Sequence, residues 1–452
     1  MTARVVIAGT SSGAGKTSVT CGLIGALRRR GLRVQGFKVG PDYIDPSYHA
    51  LASGRPGRNL DAFLSRPELI APLARHGARG ADIAVVEGVM GLFDGASGRG
   101  ELASTGHVSK LLRAPVLLVV DATAMARSVA AVVHGYSTYD PDVDVAGVIF
   151  NKVGSDHHEQ LLREAVQPLG VPVLGALRRD ERVSAPERHL GLVPAGELVA
   201  AARAAIEALA AAAERYLDLD AIAALAGAAR GLPGSSWSPA VEERTRARIA
   251  IARGPAFSFH YTENLELLEA AGAEMAPFDP LSDDELPPDC GALLLAGGFP
   301  EVFGSELEAK ASLRASVADF AASGRPVLAE CGGLLFLCRE LDGREMCGVL
   351  PATAEMSGRL SLGYREATAA SSTPWIEGGE RVRGHEFHYS RVTPGDGEQP
   401  AWTLAARGRE RLEGFVLGAV QASFLHVHWA AHPEIARRFV RAASAMPVNA
   451  WA

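Results

Sequence analysis

Three parts of this 452-residue chain carry residue types that could do chemistry. The first is "GTSSGAGKTS", residues 9–18. Gly13, Ala14 and Gly15 would turn backbone N–H groups toward a phosphate, and a helix opening at Ser18 would add its N-terminal dipole. Lys16 would reach the outer phosphates of a nucleotide, and the Thr17 hydroxyl would ligate magnesium. The usual pattern is glycine, four residues, then Gly-Lys-Ser/Thr. Here Thr10 stands in the first place, with Gly9 one residue early. The physics survives the break, because the later glycines and the Lys-Thr pair are in place.

The second part is acidic. "FKVGPDYIDP" (37–46) brings Lys38, Asp42 and Asp45 off one apolar run, and "VVEGVMGLFDG" (85–95) brings Glu87 and Asp94 off another. Strand tips of a parallel sheet line its ligand crevice. Glu87 would orient magnesium or its water shell, and Lys38 would neutralise charge during phosphoryl transfer.

The third part is nucleophilic. "LAECGGLLFL" (328–337) reads as a strand, a sharp turn at Cys331, then a helix. A cysteine at such a turn is exposed at the sheet edge, and the helix N-terminus is expected to lower its pKa. "LLLAGGFPE" (293–301) offers the Gly297 and Gly298 N–H groups for an oxyanion. "ASFLHVHWAAHPE" (422–434) offers histidines at 426, 428 and 432. The strand-like run "VQASFLH" leads into His426, which is read as the general base, with His428 its rival. No such run leads into His432.

These groups need elements to hold them. Apolar runs at 5–8, 34–39, 83–86, 116–120 and 145–150 alternate with amphipathic stretches such as 18–30 and 102–113. Repeated βα units imply a parallel sheet with helices on both faces. Residues 197–230 are alanine-rich and helical in character, a candidate surface for packing between domains or between the subunits of a homodimer. "GLPGSSWSPAVEE" (231–243) is the best linker. A second α/β series starts at "RIAIA" (248–252), with strands near 275–278, 292–296 and 326–329. The expected domains are 1–240 and 241–452.

Composition excludes several classes. A net charge of −7 argues against general nucleic-acid affinity. No apolar run reaches the ~18 residues of a membrane span, and no leader precedes the first strand-like run. Five cysteines with neither zinc nor disulfide spacing suit a reducing, cytoplasmic setting. Cys21, Cys290, Cys338 and Cys347 are read as packing residues.

Together, "GTSSGAGKTS", "FKVGPDYIDP" and "EGVMGLFDG" resemble the cobyrinic acid a,c-diamide synthase family, which includes the hydrogenobyrinic acid enzyme of aerobic cobalamin synthesis. The phosphate loop also resembles that of dethiobiotin synthetase, and the 293–434 motifs resemble a class I glutamine amidotransferase. The resemblance implies a two-domain α/β protein, a dethiobiotin-synthetase-like P-loop domain followed by an amidotransferase domain. It implies ATP and Mg2+ at Gly13, Gly15, Lys16, Thr17 and Glu87, with Lys38, Asp45 and Asp94 near the transferring phosphate and the substrate carboxylate. Asn151 of "FNKV" (150–153) falls where this fold meets the adenine base. His385 and His388 of "RGHEFHYS" (383–390) are read as a structural or interdomain motif. Many class I domains place a glutamate two residues after the base. Here that place holds His428, so the carboxylate of the usual triad is missing and what orients His426 is open.

The implied activity is amidation of the a- and c-acetates of a corrin. Cobyric acid synthase and a nickel-sirohydrochlorin diamide synthase share the domain types. "ASFLHVH" in place of "GTYLHG", together with "KVGPDYIDP", favours the a,c-diamide enzyme over the former. A regulatory P-loop ATPase would need no Cys331, Gly297, Gly298 and His426 set. The Arg- and Ala-rich composition favours the metal-free corrin.

Overall fold

β-branched, near-continuous apolar runs are suited to strands buried on both faces. Among the described residues, the main sheet of the first half has seven strands: β1 (Ala3–Gly9), β2 (Val34–Val39), β3 (Arg58–Leu60), β4 (Ile83–Glu87), β5 (Val116–Asp121), β6 (Val145–Val153) and β7 (Val173–Arg178). They pair in parallel in the order β3-β2-β4-β1-β5-β6-β7. β2 and β4 are buried along their whole length. The structure is a computed structural model and describes residues 2–179, 199–239, 245–406 and 408–445, with the backbone of two short strands, β8 (Glu187–Arg188) and β9 (Gly191–Leu192). The linker expected at 231–243 lies partly outside the described residues.

The chain divides into two compact units, Met1–Ser238 and Pro239–Ala452. In the first, the loop after β1 leads into the helix Lys16–Arg29. Gly15 caps that helix at φ 92°, and Gly13 sits at φ 76°, a backbone region that L side chains enter only with strain. The alanine-rich segment forms the helices Val199–Tyr216 and Leu219–Gly227. The first lies across Lys16–Arg29 within this unit. A Cβ added at Gly22 would come 2.7 Å from the Leu209 carbonyl oxygen, and one at Gly25 2.8 Å from Ala210 Cβ. Small residues on both helices permit that approach. This face of the helix is therefore covered inside its own unit rather than left for another domain or subunit.

The second unit holds two sheets. Strands β10 (Ala247–Ala252), β11 (Ala273–Phe278), β12 (Ala292–Leu295) and β13 (Val327–Glu330) belong to the first. Short strands β14 (Glu340–Leu341) and β15 (Arg344–Glu345) precede the long β16 (Thr353–Ala369) and β17 (Arg381–Thr393). Then follow β18 (Trp402–Ala406), β19 (Arg409–Glu413), β20 (Phe415–Leu417), β21 (Val420–Ser423) and β22 (His426–Val427). The first sheet runs β11-β10-β12-β13-β21-β20, parallel except at the β20–β21 edge. The second runs β15-β14-β16-β17-β22, with β18 and β19 alongside β16. Only two residues separate β21 from β22, so the chain leaves the first sheet and joins the second at His426.

Candidate active sites

In the first unit the strand tips converge as the sequence predicts, and they do so around buried charge. Lys38, at the end of β2, places Nζ 2.5 Å from Asp45 Oδ2, 2.8 Å from Glu87 Oε1 and 3.0 Å from the Gly88 carbonyl oxygen. The Thr17 hydroxyl donates to Glu87 Oε1 at 2.7 Å. His49 Nε2 lies 2.6 Å from Glu87 Oε2. Burial opposes the charge on Glu87, but Lys38 and His49 overcome it and hold its carboxyl well below the usual range. Burial, with Asp42 and Glu87 close by, pushes Asp45 up. Lys16 curls over the loop, its Nζ 2.9 Å from the Ser11 carbonyl oxygen and 2.6 Å from that of Met90. Burial and the Lys38 charge bring its ammonium down to about 8.

Three expected residues behave differently from their neighbours. Asp94 is exposed and closes its own loop by accepting from the Gly91 N–H at 2.9 Å. The Asn151 amide, expected to meet a nucleobase, donates to the Ala14 carbonyl oxygen at 3.0 Å and braces the phosphate loop. Both Glu87 oxygens are engaged, so this acid is first an anchor for Thr17, Lys38 and His49. Among the described residues no group of three or more His, Cys, Asp or Glu side chains forms a metal cage. The Thr17–Glu87 oxygen pair still suits magnesium, a hard ion that keeps several waters and binds through one or two carboxylates and substrate phosphates.

In the second unit Cys331 stands at φ 48° and ψ −100°, between β13 and the helix Gly332–Leu337. Such a backbone costs roughly 1–3 kcal/mol and aims the side chain out of the strand. Its N–H donates to the Ser423 carbonyl oxygen at 2.7 Å, which ties the turn to β21. The glycines show how tightly the parts meet. A Cβ on Gly297 would lie 2.5 Å from His426 Cε1, and one on Gly332 would lie 2.9 Å from the Gly298 nitrogen. Cys331 is 3% exposed and His426 1%. Burial, and then the Glu301 carboxylate, pushes the thiol well above its ordinary value, against a hydrogen bond from the Gly332 N–H. Burial outweighs the acidification expected from the short helix, so the Cys331 thiol is held above its ordinary value rather than below it.

The histidines separate by their surroundings. His426 Nδ1 is 3.3 Å from Glu330 Oε2. His428 is equally buried, but its Nε2 faces Glu263 Oε2 at 3.5 Å and its ring packs against Tyr261 at 4.8 Å. His432 follows a 3-10 turn, Trp429–Ala431, and opens the helix Pro433–Ser444, so no strand delivers it. His385 lies opposite His426 in the β17–β22 register. His388 stacks on Phe424 at 3.7 Å and 6°.

Sequence reasoning missed His49, Gly332 and Glu330. His49 lies four residues after Asp45 on one helix, a spacing that puts both on one face. Gly332 follows the nucleophile, where an elbow places an oxyanion N–H. Glu330 ends a parallel strand, the same position that drew attention to Glu87.

Glu413 supports the Cys331 turn from below. Fully buried, it accepts from Ser423 Oγ at 2.6 Å and from the Phe424 N–H at 2.8 Å. Burial pushes its carboxyl up to about 7 from the ordinary glutamate value near 4.5. The folded chain therefore holds a proton that the unfolded chain releases, and stability falls as pH rises from about 4.5 through about 7. Glu413→Gln removes this loss. Urea titrations at pH 5 and pH 8 should show the wild type losing about 2.5 kcal/mol more than the variant across that interval.

Family comparisons agree with this geometry. Residues 5–193 match a CobQ/CobB/MinD/ParA nucleotide binding domain, and residues 248–434 match a CobB/CobQ-like glutamine amidotransferase domain. A nucleotide-binding unit joined to a glutaminase-type unit defines a glutamine-dependent amidoligase. The chain is 55% identical to a hydrogenobyrinate a,c-diamide synthase of Streptomyces coelicolor, over 97% of this chain and 96% of the relative. It is 50% identical to one of Mycobacterium bovis, over 96% and 97%. A cobyrinate a,c-diamide synthase of Gloeobacter violaceus is 45% identical, over 97% and 96%. The chain belongs to the family of hydrogenobyrinate and cobyrinate a,c-diamide synthases. That membership favours the a,c-diamide reading over cobyric acid synthase and over a regulatory ATPase. Among the described residues no helix is long and apolar enough to cross a membrane.

Proposed function

We propose that the protein converts the a- and c-acetate carboxylates of hydrogenobyrinate to carboxamides, with ATP and glutamine as co-substrates. The 55% identity over nearly the whole chain to a relative of that name carries the reading. Cys331 loses its proton to His426 and attacks the glutamine amide carbon. The tetrahedral oxyanion is met by the N–H groups of Gly298 and Gly332, with Gly297 leaving room for His426. Collapse breaks the C–N bond, and His426 returns the proton to the departing ammonia. Water, deprotonated by His426, then cleaves the thioester to glutamate.

In the first unit a substrate carboxylate oxygen attacks the γ-phosphorus of ATP, and ADP leaves. Lys16 and Lys38 offset the charge that builds on the phosphoryl oxygens. Ammonia attacks the acyl phosphate carbon, phosphate departs with the bonding electrons, and the nitrogen loses a proton. Thr17 and Glu87 would hold magnesium, which supplies further charge neutralisation on the phosphates. Asp45, bonded to Lys38, keeps that ammonium at the strand tip.

The deciding experiment incubates the purified protein with hydrogenobyrinate or cobyrinate, each with ATP and glutamine, and weighs the products. The expected result is conversion of two carboxyls of hydrogenobyrinate, with two glutamates formed per product. Preferential conversion of cobyrinate would overturn the metal-free assignment, and amidation of four carboxyls would overturn the a,c assignment.

A further inference from the structure

A catalytic imidazole needs something on its other nitrogen to fix the tautomer and the ring plane. The residue two places after His426 cannot do this, because it is His428, which faces Glu263 and Tyr261. A different carboxylate is in place. Glu330 Oε2 lies 3.3 Å from His426 Nδ1, with His426 almost wholly buried and the Glu330 side chain 13% exposed. Its backbone is well fixed. Glu330 is the last residue of β13 and pairs with Ser423 of β21. Its neighbour Cys331 donates to that same Ser423. The strand end that aims the nucleophile therefore also aims the carboxylate.

We propose that Glu330 is the positioning carboxylate of the His426 base, so that the residue before the nucleophile does the work usually done two residues after the base. This rests on the reading of Cys331 and His426 as nucleophile and base. Glu330 accepts the Nδ1–H, so that the lone pair lies on Nε2 to take the thiol proton, and it stabilises the imidazolium that forms. The other charged or titratable groups around this pair are Cys331 itself, Glu301, Glu386 and His385, the last directly opposite His426 on β17. His385 is pushed down to about 3 by burial and by the His426 charge, so it stays neutral and offers no counter-charge.

The test is glutamine hydrolysis by the full-length Glu330→Gln and Glu330→Asp variants. For Glu330→Gln, kcat should fall at least about 100-fold while KM stays within about threefold. Gln keeps the size of the side chain but removes the charge that stabilises the imidazolium, so the loss should fall on kcat rather than on KM. Glu330→Asp keeps the charge and should recover at least about tenfold of the loss. Cys331→Ser is assayed beside them. If it hydrolyses glutamine normally, the nucleophile reading fails. If it is inactive while Glu330→Gln stays within about threefold of wild type in both kcat and KM, the Glu330 assignment alone is overturned. Wild-type protein with 15N-labelled histidine rings gives a readout that needs no change at 330. The His426 signal, identified by its loss in His426→Asn, should be the Nδ1–H tautomer, and the Nε2–H tautomer would overturn the assignment.

Discussion

Cys331→Ser should lower glutamine hydrolysis by at least about 1,000-fold, and with it glutamine-driven synthesis, while synthesis from added ammonium persists. The substitution is nearly isosteric and leaves the backbone at φ 48° as it was. It changes the nucleophile alone. A buried thiol pushed well above its ordinary pKa is already hard to ionise, so the proposed mechanism has His426 take its proton as the sulfur attacks. A serine hydroxyl in the same 3%-exposed place is harder still to ionise and is a poorer nucleophile. Ammonium bypasses this unit, because the acyl phosphate needs only free ammonia. The rescued rate should therefore rise with pH as the unprotonated fraction grows. A thermal melt matching wild type shows that the fold is intact. With that control in place, failure of ammonium to rescue would sink the division of labour between the two units.

Cys331, the phosphate loop and the strand-tip acids stood out in the sequence because each is a short motif tied to a strong local pattern. β2, β4, β5 and β13 are apolar runs ending in a charged or reactive residue, and Lys38, Glu87 and Cys331 follow directly from that. β16 and β17 were not legible. Along β16 burial alternates irregularly, with Met356, Leu360 and Leu362 exposed, and its register with β17 shifts between Met356 and Ser361; β17 does alternate, but its buried places include Gly384, Glu386, His388 and Ser390 rather than an apolar run. A strand with no steady two-residue period gives little signal. Those strands bring His385 against His426, so part of the glutaminase site was hidden with them.

The Glu330–His426 contact was missed for a different reason. It joins residues 96 apart in sequence, and no local spacing announces it. The usual search looks just after the histidine, where this chain has His428. Lys38 shows the same limit from another side. Its type and strand position were readable, but its role as counter-ion to both Asp45 and Glu87 depends on helix Ile44–Ser53 folding back over the strand tips.

Lys16→Ala should remove synthesis from glutamine and from ammonium alike, with kcat/KM for ATP down at least about 1,000-fold. The side chain is 7% exposed, and among the described residues its ammonium meets only the carbonyl oxygens of Ser11 and Met90. Glu87, Asp45 and Asp94 offset part of its charge from nearby, less than burial and Lys38 oppose it. A buried cation held by carbonyls is a place prepared for an anion, and phosphoryl oxygens would fill it. Holding that charge also works against the fold. Burial and Lys38 bring the ammonium to about 8, so below that pH the folded chain carries a cost on the order of 3 kcal/mol relative to an ordinary lysine. The cost fades as pH rises from about 8 toward the unfolded value near 10.5. Alanine removes it while losing the packing of the lysine stem against Gly9. At pH 7 the variant should melt no lower than wild type, and it should lose nucleotide binding when titrated with ATP in a calorimeter. Loss of function with retained stability is the signature of a residue kept for its ligand. Synthesis retained with either nitrogen source would take the phosphate loop out of the mechanism.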